Sequence, residues 1–245
     1  MKRAILSMAA AGLAAACSPS PPEKAADQAE AARGWARPPV VESVGPDGAG
    51  LIVAGVAAPE ARVVLRGEGA AFAATADSDG RFEIRVPPPA GHLLLRPETQ
   101  VGQDAAPSPD QLLILAAGRG PVAVLRAGGP TRRLDPAPAL GAIDGDGRMR
   151  LASGQVAAGT EVVVVQSGDE TIQVAPDEAG RWSVILPAEG GPDPIRVNGR
   201  EFIWPGQADA ARPLAVERLE SGWRVGWTGP GEARQTTWLP DATAP

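Results

Sequence analysis

Hydrophobic and polar residues alternate with a period of two at several places after residue 40, which is typical of β-strands with one buried face. One such strand is predicted at 81–86, where the residues with a shared apolar face are Phe82, Ile84 and Val86. A second is predicted at 181–187, where Ser183 and Ile185 point away from Trp182, Val184 and Leu186. The same region shows no convincing helical period, so the pattern predicts antiparallel strands.

Turn signals divide these strands into pieces of about five to eight residues. The signals are Asp47-Gly48, Asp79-Gly80, Gly128-Gly129, Asp146-Gly147 and Gly190-Gly191. The 30 glycines and 26 prolines of the 245 residues are too many for a helical protein. We therefore predict an all-β fold.

Two segments about a hundred residues apart repeat the same order of turns and strands. Residues 55–87 match 154–187 most clearly, and weaker echoes link 92–96 with 194–197 and 112–126 with 214–228. An internal repeat of this size indicates a duplicated unit. We predict two tandem immunoglobulin-like antiparallel β-sandwiches, over 40–134 and 138–240, followed by a tail at 241–245.

The repeated motif resembles two known families. The run Gly-x-x-x-Pro/Gly-x-x-Val, followed by Gly-Arg-Phe/Trp and a closing proline, is similar to the immunoglobulin-like repeats of bacterial surface and envelope proteins. It is also similar to the carboxypeptidase regulatory-like sandwich of the transthyretin type. These resemblances imply spacer, adhesion or docking roles, and they carry no shared catalytic residues.

The N-terminus resembles a bacterial lipoprotein signal. Lys2 and Arg3 precede a short apolar run that ends at Cys17, the one cysteine of the chain. The resemblance implies a signal peptide over 1–16, acylation of Cys17, and a Pro/Ala-rich tether over 17–39. It places the protein in the cell envelope, anchored to a membrane by lipid, with the periplasmic face of the outer membrane favoured because Ser18 follows the cysteine. Ala14 stands where such signals usually carry leucine, and an ordinary secretory peptide cleaved after Ala16 is the alternative.

Charge and composition limit the kinds of partner that the chain could bind. The formal charge is −6, and it becomes −8 when Lys2 and Arg3 leave with the signal peptide. An acidic chain without a basic patch does not fit nucleic acid. No cysteine follows Cys17, so a disulfide framework is not expected.

The candidates for metal binding and catalysis have simpler interpretations. Asp144-Gly145-Asp146-Gly147 and Asp77-Ser78-Asp79-Gly80 resemble the start of a calcium loop, but the twelfth positions are Gln155 and Pro88 rather than glutamate. Asp-Gly pairs are also favoured in hairpin turns. His92 is the single histidine, and the chain has no Gly-x-Ser-x-Gly. We therefore predict no enzyme, no cofactor and no metal site.

Late tryptophans are the most suggestive remaining feature. In Trp223–Trp227, both rings and Val225 project from one strand face, where the first repeat has small aliphatic residues. One interpretation is that the second sandwich has a core packed with larger rings. The other is an exposed or interdomain patch that binds a partner, with candidate residues Trp204, Trp223, Val225, Trp227 and Trp238.

These features together predict a scaffold or protein-binding module that engages an envelope protein through sandwich edges and a Trp-bearing surface. A glycan- or peptidoglycan-binding module is the alternative. That alternative requires at least two of the four late tryptophans in solvent.

Overall fold

A computed structural model describes residues 37–101, 104–187, 191–208 and 213–242. The predicted signal peptide, Cys17 and most of the predicted tether lie outside the described residues. The described part belongs to one compact unit, Ala36–Pro245.

The described residues form twenty strands and two short 3-10 turns, Ala116–Gly118 and Pro230–Glu232. The first ten strands are β1 (Val40–Asp47), β2 (Gly50–Val56), β3 (Arg62–Gly67), β4 (Ala70–Thr75), β5 (Arg81–Val86), β6 (Leu93–Val101), β7 (Asp104–Pro107), β8 (Asp110–Ile114), β9 (Val122–Arg126) and β10 (Arg132–Arg133). The second ten are β11 (Ala142–Gly145), β12 (Met149–Gln155), β13 (Val163–Ser167), β14 (Glu170–Val174), β15 (Arg181–Pro187), β16 (Asp193–Val197), β17 (Arg200–Trp204), β18 (Leu214–Leu219), β19 (Gly222–Thr228) and β20 (Arg234–Pro240).

The strands make four antiparallel sheets, which confirms the all-β prediction. Sheet I has the order β1-β2-β5, and sheet II has the order β10-β9-β8-β6-β3-β4 with β7 also on β6. Sheet III has the order β15-β12-β11-β20-β19-β18, and sheet IV has the order β14-β13-β16-β17.

Sheets I and II pack face to face around one apolar core, and sheets III and IV pack around another. The two predicted apolar faces fall where the alternation placed them. Phe82, Ile84 and Val86 lie in the first core, while Trp182, Val184 and Leu186 pack in the second. Each pair of sheets is therefore a β-sandwich.

A third core joins the two sandwiches. Leu113, Leu115, Ala123 and Leu125 of the β8–β9 region pack against side chains of β11, β19 and β20. Because β8 and β9 are buried on both faces, their sequences run as nearly continuous hydrophobic stretches rather than alternating. The described strands form a stack of four sheets in the order I, II, III, IV, with an apolar layer in each of the three gaps.

The repeat is clearest in the turn before β5 and before β15. The Asp77 carboxylate accepts hydrogen bonds from the backbone N–H groups of Asp79 and Arg81, at 2.9 and 2.8 Å. A hundred residues later, Asp177 accepts equivalent bonds from Ala179 and Arg181, both at 2.9 Å. Asp77 thus works as a turn residue.

The correspondence ends in the later part of each repeat. The hairpin β8–β9 pairs with β6 and extends sheet II, whereas β18–β19 pairs with β20 and extends sheet III. The sequence echo between 112–126 and 214–228 therefore joins hairpins that occupy different sheets. This difference matters, because it brings sheet II against sheet III and creates the third core.

Candidate functional site

Two of the five predicted contact residues lie in the core between sheets III and IV. Trp204, at the end of β17, and Trp238, on β20, are both 0% exposed. Their rings belong to the same apolar core as Val165 and Ile143. A partner cannot touch these rings in the folded protein, so they fit the core interpretation.

Val225 and Trp227 lie in the core between sheets II and III. Trp227 is 1% exposed, and its Nε1–H donates to Thr237 Oγ1 at 2.9 Å. These residues do lie between the two sandwiches, as the interdomain interpretation supposed, but the surface that they bind belongs to the same chain. The larger rings of the second repeat are explained by this packing.

Trp223 is the one candidate with a ring partly open to solvent. It packs at the border of the core between sheets II and III, with the His92 ring edge-on at 5.7 Å and the Arg218 guanidinium 5.2 Å from the ring centre. His92 also accepts a hydrogen bond from the Ala116 N–H at 3.1 Å through Nδ1. The single histidine thus has a packing role beside Trp223.

Asp144 has a structural environment that the sequence did not indicate. It lies on β11 rather than in the following turn, and it accepts hydrogen bonds from the Thr131 N–H, Thr131 Oγ1 and Thr237 Oγ1 at 2.8, 2.6 and 2.6 Å. Burial without a cationic partner raises the pKa of Asp144 to about 6, against the lowering effect of these bonds. Asp146 is the turn residue of this motif, and backbone N–H bonds from Met149 and Arg148 lower its pKa. Within the described ranges, no three acidic, histidine or cysteine side chains converge in a way that would hold a metal ion.

The most distinctive open surface is the free edge of sheet III. Strand β15 pairs with β12 alone and ends the sheet, so one side of its backbone has no strand beside it in the described structure. Ile185 on this strand is 61% exposed, and Met149 on β12 is 47% exposed. The register places Leu151 opposite Ile185 and Met149 opposite Pro187. These four residues form what we call the β15 patch.

The β15 patch continues the face of sheet III that packs on sheet II. On that face the third core uses β11, β18, β19 and β20, while β12 and β15 contribute no side chain to it. The apolar character therefore extends past the edge of the covering sheet. This leaves an apolar surface beside a free strand edge.

The other edge strands of the described sheets differ from β15 in the side chains that they carry. β5 exposes Arg81, Glu83 and Arg85, and charged residues also lie on the edge strands β14, β17 and β18. Charges on an edge strand discourage pairing with another chain. β4 is uncharged, but the side chains it exposes are only two alanines and a threonine. β15 carries no charge from Trp182 to Pro187. Its Ile185 is the most exposed large apolar side chain on the described edge strands, at 61% against 49% for Val40 on β1 and 45% for Ile203 on β17.

The alternation in 181–187 predicted that Ile185 points away from the core, but Ile185 was not among the predicted contact residues. The signal for Ile185 is a large aliphatic residue at a position where an amphipathic strand normally carries a polar one. Met149 was not identifiable from sequence, because its place beside β15 depends on the strand register.

Comparison with known protein families and with curated proteins finds no match for this chain. Within the described residues, no helix is long and apolar enough to span a membrane.

Proposed function

We propose that this protein is a non-enzymatic, lipid-anchored component of the cell envelope that binds a partner protein by accepting a strand of that partner along β15. The observation that carries the proposal is the free edge of β15, which is uncharged from Trp182 to Pro187 and has Ile185 exposed on it. In strand addition, backbone hydrogen bonds supply affinity, and side chains at alternate positions supply specificity.

The surface fits an extended segment with apolar side chains at every second position. A strand paired with β15 in the antiparallel or parallel sense would place alternate side chains over the β15 patch. Burying one large apolar side chain there is worth about 1.5–3 kcal/mol. The rigid stack behind the patch favours binding further, because β15 is already ordered before the partner arrives.

The cellular location is proposed from the sequence. Cys17 would carry the lipid anchor, and the tether would hold immunoglobulin-like or carboxypeptidase regulatory-like sandwiches at the periplasmic face of the outer membrane. Labelling cells with a clickable fatty acid tests this directly. The label should appear on the protein and be lost in Cys17→Ser; an unlabelled wild-type protein would overturn the anchor.

No specific observation favours the glycan-binding alternative. It needs at least two of the late tryptophans in solvent, whereas Trp204, Trp227 and Trp238 are buried and Trp223 is half-buried. We therefore propose protein binding alone.

Photo-crosslinking in cells tests the proposed function. A crosslinking residue at position 185 should capture a discrete envelope protein, and the same residue at position 203 serves as control, since Ile203 is also exposed on an edge strand, β17. Met149→Lys should abolish the crosslink from position 185, because it places a charge in the β15 patch while changing only an exposed side chain. Equal capture from both positions, or capture that persists in Met149→Lys, would overturn the proposal.

A further inference from the structure

A cleft of about 660 Å³ lies between the two sandwiches. Strands β9 and β10 line it from the first sandwich, β12 and β15 line it from the second, and the segment from Asp135 to Pro138 forms a further wall. Small-molecule sites usually measure about 300–1,000 Å³. The cleft therefore has the size of a ligand site.

Three arginines in this cleft keep hydrogen-bond donors that the protein does not use. Arg126 bonds Asp110 through Nε and Nη2, and Arg181 bonds Asp177 through Nε. Arg132 donates from Nη1 and Nη2 to backbone carbonyl groups of β1. Among the described hydrogen bonds, Nη1 of Arg126, Nε of Arg132 and both Nη atoms of Arg181 have no acceptor.

The cleft also has an uncompensated positive charge. Arg126 and Arg181 each pair with an aspartate, and Arg133 pairs with Asp135, but Arg132 has no carboxylate within ion-pair distance among the described residues. Burial first, and then the positive charge of Arg181, lower the pKa of Arg132. The carboxylates of Asp110 and Glu42 raise it and only partly offset this lowering. Nearby like charges in a partly buried place are unfavourable, and an anion would relieve them.

We propose that this cleft binds a small organic anion whose carboxylate or phosphate group lies among Arg126, Arg132 and Arg181. A guanidinium presents parallel N–H donors that match the oxygen atoms of both groups. Val40 and Pro136, both exposed, are apolar residues that line the cleft and suit an organic body on the ligand. A metal ion does not fit, because the aspartates of the cleft are already bonded to arginines. This site stands on different residues from the β15 patch and does not depend on the proposed function.

Nuclear magnetic resonance titration at constant ionic strength tests the site, with succinate, inorganic phosphate and phenyl phosphate as probes. Backbone resonances of β10 and of the start of β15 should shift in a saturable manner with at least one probe. Arg181→Gln should weaken that binding by about tenfold or more, the usual effect of losing a charge-assisted hydrogen bond.

A matched control separates the site from general charge effects. Arg196 is exposed to nearly the same extent as Arg181, with side-chain exposures of 56% and 57%, and it is likewise paired with one carboxylate. Arg196→Gln should leave the titration unchanged. Saturation by phosphates alone would identify a phosphate ligand, and saturation by succinate would identify a carboxylate ligand. The absence of a saturable shift with any probe, or equal affinity in Arg181→Gln, would overturn the site.

Discussion

At the scale of single residues, Asp144 links the two sandwiches through a chain of hydrogen bonds. Thr131, from the segment between β9 and β10, donates twice to its carboxylate, and Thr237 of β20 donates once. Trp227 in turn donates to Thr237. The joint between the first and second sandwich therefore rests on a buried carboxylate as well as on apolar packing.

The free energy of unfolding should fall as pH rises through this carboxyl group's titration. The folded-state pKa of about 6 lies above the ordinary value of 3.8, so the folded protein binds the extra proton between these limits. The shift corresponds to a cost of about 3 kcal/mol above pH 6. Urea unfolding of wild type and Asp144→Asn at several pH values measures this cost. The difference in the free energy of unfolding between the two proteins should change across pH 4–6 and stay constant above pH 6.

Asp146→Asn is the control, because Asp146 lies two residues away and its pKa is lowered rather than raised. As pH falls, the free energy of unfolding of wild type should therefore decrease relative to Asp146→Asn, whereas it should increase relative to Asp144→Asn. A difference between wild type and Asp144→Asn that stays constant from pH 4 to 7 would contradict the assignment.

At the scale of elements, the repeated turn before β5 and β15 depends on glycine. Gly180 has a φ of +76°, and a Cβ atom there would lie 2.2 Å from the Val156 carbonyl oxygen. Gly80 has a φ of +78°, and its Cβ would lie 2.5 Å from the Ala57 carbonyl oxygen. In both turns the glycine lies close to the residue that follows a neighbouring strand, β2 or β12, so the same close approach occurs in the two segments.

Gly180→Ala should destabilise the protein by clearly more than Gly168→Ala. Gly168 also has positive φ, +56°, but nothing lies within 4 Å of its Cβ position. The control should therefore cost only the left-handed backbone penalty, about 1–2 kcal/mol, whereas Gly180→Ala adds a backbone clash. Chemical denaturation measures both. Equal costs for the two variants would show that the close approach is absent.

Individual strands could be predicted from the sequence. The alternation in 81–86 and 181–187 identified both strands and their buried faces, because one face of each is exposed. The hairpins β8–β9 and β18–β19 were paired in the sequence comparison, yet they occupy different sheets. Sequence likeness cannot show which sheet a hairpin joins, since the order of apolar and polar residues along a strand does not specify the strand it pairs with.

At the scale of the whole molecule, the third core makes the two sandwiches one body. Sequence patterns predicted them as tandem units, and the aromatic residues of β19 looked like a candidate partner surface. The partner of Trp227 and Val225 is the β8–β9 hairpin of the same chain. A buried ring in a core and a ring in an interface have the same period along a strand, so only the fold separates these interpretations.

The stack should unfold in a single cooperative transition. Each sheet shares an apolar core with the next, so exposing the core between sheets II and III would uncover Leu113, Leu125 and Trp227 together. Differential scanning calorimetry should give one peak with equal calorimetric and van't Hoff enthalpies. Two resolved transitions would show that the sandwiches are independent.

The central claim is that a partner adds a strand to β15, and amide hydrogen exchange in the complex tests it most directly. Once crosslinking has identified the partner, exchange along β15 should slow by about tenfold or more in the complex, because new backbone hydrogen bonds form there. Exchange along the edge strands β14 and β17 should remain unchanged. Unchanged exchange in β15, with protection at another surface, would contradict the claim.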